Sequence, residues 1–80
     1  MQFEHQGRRF DMIRASDLQH DGLSLELSSD SRPVAEVFYS NVTGEFAISV
    51  FEQHLPLAVI EHLINAAQAS LPPSSKLHGL

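Results

Sequence analysis

Hydrophobic residues follow two periods along this chain, alternating through most of the stretch before Pro56 and recurring at three- and four-residue steps after it. Alternation places side chains on one face of a strand, and the longer step places them on one stripe of a helix. The strictest alternation is Leu23-Ser24-Leu25-Glu26-Leu27, which puts three leucines on one face behind an Asp21-Gly22 turn. From Pro56 to Leu71 the residues Ile60, Leu63, Ile64, Ala67 and Leu71 fall together, while Glu61, Asn65 and Gln68 fall on the opposite side. Pro56 suits a first helical turn, and Pro72-Pro73 cannot continue a helix. Ala66, Ala67 and Ala69 keep the second half of that helix slim, which favours close approach to a sheet.

The stretch from Val34 to Glu52 reads as a β-hairpin whose register can be tested. With Asn41-Val42-Thr43-Gly44 as a four-residue loop, Ser40 faces Glu45 and the inner pairs are Tyr39 with Phe46, Val37 with Ile48, and Ala35 with Val50. All six share one apolar face, which the helix is expected to cover. A shift by one residue would place Glu36 among Phe46, Ile48 and Val50, and a buried carboxylate without a partner costs several kcal/mol, so the four-residue loop is preferred. Earlier in the chain, Phe3–His5 and Arg8–Arg14 flank Gln6-Gly7 and predict a hairpin that pairs Phe3 with Phe10 and Glu4 with Arg9. Ser16–Leu18 is expected to form a brief helical turn, and Ser28–Pro33 a polar turn.

These elements predict an α+β fold: an antiparallel meander of four to five strands (near 2–6, 8–14, 23–28, 34–40 and 45–52) followed by one helix (near 56–71) packed on one face. With 80 residues and 42% hydrophobic content the expectation is a single domain over residues 1–71, because a split would leave neither half enough apolar surface to bury. Residues 72–80, Pro-Pro-Ser-Ser-Lys-Leu-His-Gly-Leu, are expected to form a disordered tail.

Charge and composition narrow the function classes. The formal charge of −5 repels phosphate backbones, and Arg8, Arg9 and Arg14 read as a solvated face, so nucleic acid is not an expected partner. The absence of cysteine removes disulfide frameworks and thiolate metal sites. With no apolar run near the ~20 residues of a membrane span and no secretory pattern at the start, a cytoplasmic location without membrane association is expected.

Candidate chemistry is sparse. His5, His20, His54, His62 and His78 lack the i, i+4 spacing of a helical zinc pair, so no metal is expected. No serine sits in a G-x-S-x-G elbow, and the four glycines never cluster into a phosphate-cradling loop. Glu26 and Glu36 form a carboxylate pair only if strand order brings them together. Neither catalysis nor a cofactor is therefore expected.

One feature asks for a partner. In the preferred register, the hairpin face away from the helix carries Val34, Phe38 and Phe51 beside Glu36 and Ser49, an apolar patch with polar neighbours of the kind found at contact surfaces. Open sheet edges offer a second contact mode. The leading expectation is a non-enzymatic protein-interaction or regulatory module acting through that face or an edge strand, with a homodimer as one form. A small acidic inhibitor or immunity-type protein that blocks a basic partner is the alternative, on size and charge. A small-ligand binder with a helix–sheet pocket near Tyr39, His54 and His62 is the third.

Overall fold

The computed structural model describes residues 1–72. It is an α+β fold, a five-stranded antiparallel meander in the order β1-β2-β3-β4-β5 followed by one helix. The strands are β1 (Gln2–His5), β2 (Arg8–Asp17), β3 (Gly22–Ser29), β4 (Arg32–Ser40) and β5 (Phe46–Val50), and the helix α1 runs Leu57–Ser70.

Both hairpin registers are those the apolar pattern requires. Phe3 faces Phe10 and Glu4 faces Arg9 across β1/β2, around a Gln6-Gly7 turn in which both residues take positive φ. Across β4/β5, Tyr39 faces Phe46, Val37 faces Ile48 and Ala35 faces Val50. The loop closes with hydrogen bonds from the Ser40 amide to the Glu45 carbonyl (3.0 Å) and from the Gly44 amide to the Ser40 carbonyl (2.8 Å). Gly44 has φ +73°, the left-handed value a residue without Cβ adopts freely. The Ser40 hydroxyl accepts from the amides of Val42 and Thr43, and the Asn41 amide donates to the Asp21 carbonyl, which ties this loop to the β2/β3 turn.

Three boundaries differ from the sequence expectation. Ser16 and Asp17 continue β2, because they pair with Leu23 and Gly22, and this ladder outweighs a local helical turn. The tight turn between β3 and β4 is Asp30-Ser31, with φ 53° and 64°, so Ser28, Ser29, Arg32 and Pro33 all belong to strands. The third departure is Val34. The register slips between Leu27 and Ser28, so that Leu27 faces Ala35 while Ser28 faces Pro33, leaving Val34 as an extra residue in β4. A bulge re-aims a side chain, and Val34 joins its neighbour Ala35 in the core at 3% exposure.

One hydrophobic cluster lies between the sheet and α1. Phe10 and Met12 from β2, Leu25 and Leu27 from β3, and Val37 and Tyr39 from β4 meet Val59, Leu63 and Ala67 from the helix. The helix presents its Val59-Leu63-Ala67-Leu71 line, one residue per turn, and Ile60 and Ile64 ride on its flank half-buried. It packs against β3 and β4. Leu55 and Leu71, both buried, seal the ends of this layer. The sequence segment from Pro73 on lies outside the described residues, so the expected tail has no structural account beyond Pro72.

Candidate interaction surface

A helix with its side chains is about 10 Å across and strands lie about 4.8 Å apart, so one helix covers about two strands. Here those strands are β3 and β4. On the β1 side the deficit is made up by aromatic stacking: Phe3 lies between Phe10 (centroids 5.3 Å apart) and the His62 ring of the helix (4.0 Å). On the β5 side Phe46 meets the Tyr39 ring of β4 (5.0 Å), but among the described residues no ring of the helix reaches β5. All five residues of β5 are exposed, and Phe46, Ile48 and Val50, which share the helix-side face with Tyr39 and Val37, keep 38%, 43% and 45% of their surface. The helix flank above them carries Leu57, 69% exposed, with Ile64 and Gln68 overlooking Phe46 and Ile48. An apolar trough therefore runs between α1 and β5, open at the sheet edge.

Among the described residues, the outer backbone edge of this trough is also unpaired. Ser40 bonds to Glu45 at one end of the β4/β5 ladder, and the Phe51 amide donates to the Val34 carbonyl at the other. Hydrogen-bonded pairs alternate along an antiparallel ladder, so Ala47 and Ser49 turn their main-chain groups toward β4, and Phe46, Ile48 and Val50 turn theirs outward. The same three residues thus supply the apolar row and the free N–H and C=O groups. Edge strands are commonly guarded by charge, proline or a bulge, and Phe-Ala-Ile-Ser-Val has none of these. The opposite edge is guarded: β1 has four residues and carries Glu4, and β2 beyond it carries Arg14 and Asp17.

Of the residues expected to form a patch on the other face, Val34 and Phe51 are neighbours, the Phe51 amide donating to the Val34 carbonyl, while Phe38 lies apart from both. Val34 is buried by the bulge, contrary to the exposed position expected of it. Phe38 is half-buried, its ring laid over Gly22 and met edge-on by His20 with centroids 6.3 Å apart. Phe51 is exposed, but the Glu36–Ser49 pair lies between it and Phe38. Strand order does bring Glu26 directly opposite Glu36, which makes the centre of this face acidic.

Arg8, Ser29, Glu52, Asp17 and His20 are engaged in holding the fold. Arg8 reaches across the end of the sheet in a bidentate pair with Glu52, both N–O distances being 2.7 Å, and its Nε donates to Ser29 Oγ (3.1 Å). The Ser29 hydroxyl donates onward to the Arg9 carbonyl. This hydrogen bonding raises the Arg8 pKa and lowers that of Glu52. Asp17 caps the next turn by accepting from the His20 amide (3.0 Å) and meets the His20 ring at 3.0 Å; these bonds, the backbone one foremost, lower its pKa.

The Tyr39 ring packs tilted against Phe46 and His62 stacks on Phe3, on opposite flanks of the helix, while His54 is exposed in the loop before it. Between His62 and Tyr39 lie the buried core side chains Leu63, Val37 and Leu25. Among the described residues, no cluster of three or more His, Asp or Glu side chains could hold a metal, and no helix is long and apolar enough to cross a membrane. Comparison with family models, with curated proteins and with solved structures finds no match to this chain.

Proposed function

We infer that this protein is a non-enzymatic protein-interaction module whose working surface is the β5 edge together with the trough between β5 and α1. The observation that carries this reading is the coincidence, in Phe46, Ile48 and Val50, of exposed apolar side chains and outward-facing main-chain groups. Such an edge accepts an added strand: main-chain hydrogen bonds supply affinity, and the trough selects apolar side chains at alternate positions of the incoming segment. The Glu26/Glu36 face lies on the other side of the sheet and leaves this docking route unobstructed.

The test uses a synthetic peptide with the sequence of Glu45–Glu52, which alternates apolar residues and extends readily. Titrated into the isotopically labelled protein, it should shift the amide resonances of Phe46, Ile48 and Val50 and slow their hydrogen exchange. Shifts confined to the Glu26/Glu36 face, or no shift at β5 with this peptide and no self-association, would refute the reading.

A further inference from the structure

We propose that the β5 edge is filled by a second copy of the same chain, joined antiparallel across a twofold axis at Ile48 to make a continuous ten-stranded sheet. This rests on the edge-docking reading above and names its occupant.

The strand sequence is self-complementary about that axis. Ile48 faces Ile48 of the second copy, and Phe46 faces Val50 of the second copy, all on the helix-side face. These are the residues whose main-chain groups point outward, so each such pair exchanges both hydrogen bonds. On the other face Ala47 meets Ser49 of the second copy, small against small. The resulting helix-side strip consists of Phe46, Ile48 and Val50 from both copies, flanked by Leu57 and Ile64 of each helix.

Charge is compatible with this register. Phe46–Val50 carries none, and the acidic residues beside it do not meet: Glu45 falls opposite Phe51 of the second copy, and Glu52 opposite Gly44. Glu52 is, besides, already neutralised by Arg8 of its own chain. Closure follows from the asymmetry of the two edges. The β1 edge is short and charged, so β5 pairs with β5 and the assembly stops at two copies rather than growing into a filament.

The surface offered by one five-residue strand and a helix flank belongs to the smaller interfaces, so dissociation is expected within a concentration series from roughly 1 µM to 1 mM. The full chain should pass from monomer to dimer across it by sedimentation velocity. Ile48→Lys, at a side chain already 43% exposed, should keep the monomer's melting temperature and far-ultraviolet spectrum and weaken association at least tenfold. Because the chain lacks cysteine, single substitutions report the register. Cα atoms in a hydrogen-bonded antiparallel pair lie about 5.5 Å apart, within disulfide range. Ile48→Cys should therefore give an oxidised dimer, and Val50→Cys, displaced four positions from its own counterpart, should not.

A monomer at every concentration overturns the proposal, whether its β5 amides exchange freely or are protected by the chain's own C-terminal segment. So does a dimer that Ile48→Lys leaves intact or that Val50→Cys cross-links as well as Ile48→Cys. If the protein stays monomeric and the Glu45–Glu52 peptide still perturbs β5, the edge-docking reading stands with a different partner. If neither occurs, both fail.

Discussion

Gly22→Ala sets two opposed effects against each other at one atom. Gly22 opens β3 opposite Ser40, is buried, and has no positive φ that would exclude a side chain. On propensity alone alanine should therefore stabilise the strand by about 0.4–1 kcal/mol, through a less flexible unfolded chain. The fold opposes this. An ideal Cβ at Gly22 would overlap the carbonyl oxygen of Tyr39 and lie 2.5 Å from Cε1 and Cζ of Phe38. The Phe38 ring can swing aside, but the Tyr39 carbonyl belongs to β4 and moves only if the ladder moves. Overpacking of this kind costs about 1–3 kcal/mol. The net expectation is a loss of about 1–2 kcal/mol, taken as overpacking less the propensity gain. That corresponds to a melting temperature lower by about 4–16 °C, at about 4–8 °C per kcal/mol for a domain of this size. Urea unfolding followed by circular dichroism measures it, with Phe38→Leu as the companion variant. If the carbonyl is the obstacle, Phe38→Leu rescues little of the loss in the double variant. A stabilised Gly22→Ala protein, or full rescue by Phe38→Leu, would refute the reasoning.

Leu63→Ala removes a fully buried side chain at the centre of the helix–sheet layer and should cost about 2–5 kcal/mol in urea unfolding; a loss below about 1 kcal/mol would mean that the layer is loosely packed. Ser31 sits at φ 64°, where L side chains are disfavoured, so Ser31→Gly should raise stability by up to about 1 kcal/mol, and a thermal melt that falls would contradict the turn geometry. The Glu52 carboxyl is held below its ordinary value chiefly by its hydrogen bonds from Arg8, so its contribution is present above the unfolded-chain pKa and lost as the pH falls through the lowered one. The stability gap between the parent protein and Glu52→Gln should accordingly be widest at neutral pH and close in acid, and an unchanged gap at low pH would exclude this linkage.

Much of the fold is written in local patterns. Leu23-Ser24-Leu25-Glu26-Leu27 alternates as a strand with one apolar face, and the cost of burying Glu36 selects the β4/β5 register from the sequence alone. The surface was harder to read. Alternation says that Val34, Phe38 and Phe51 share a face, but it has no means of registering a bulge, and the extra residue at Val34 sends that side chain into the core. The exposed row at β5 did have a signal: a single helix about two strands wide cannot cover five. What the pattern leaves open is which strands go without.

The sequence by itself determined the five strands and the helix, their order and the apolar face of most of their length, Val34 and Val59 being the exceptions, because side-chain periodicity and turn chemistry act over a few residues. Tertiary structure alone decided where the helix lies across the sheet, and so which apolar residues stay in water. That choice depends on contacts between segments far apart in the chain, among them His62 on Phe3, Arg8 on Glu52, and the close fit of Ala67 and Leu63 over β3 and β4. Satisfying those contacts draws α1 toward the middle of the sheet and leaves β5 with an uncovered face and an open edge.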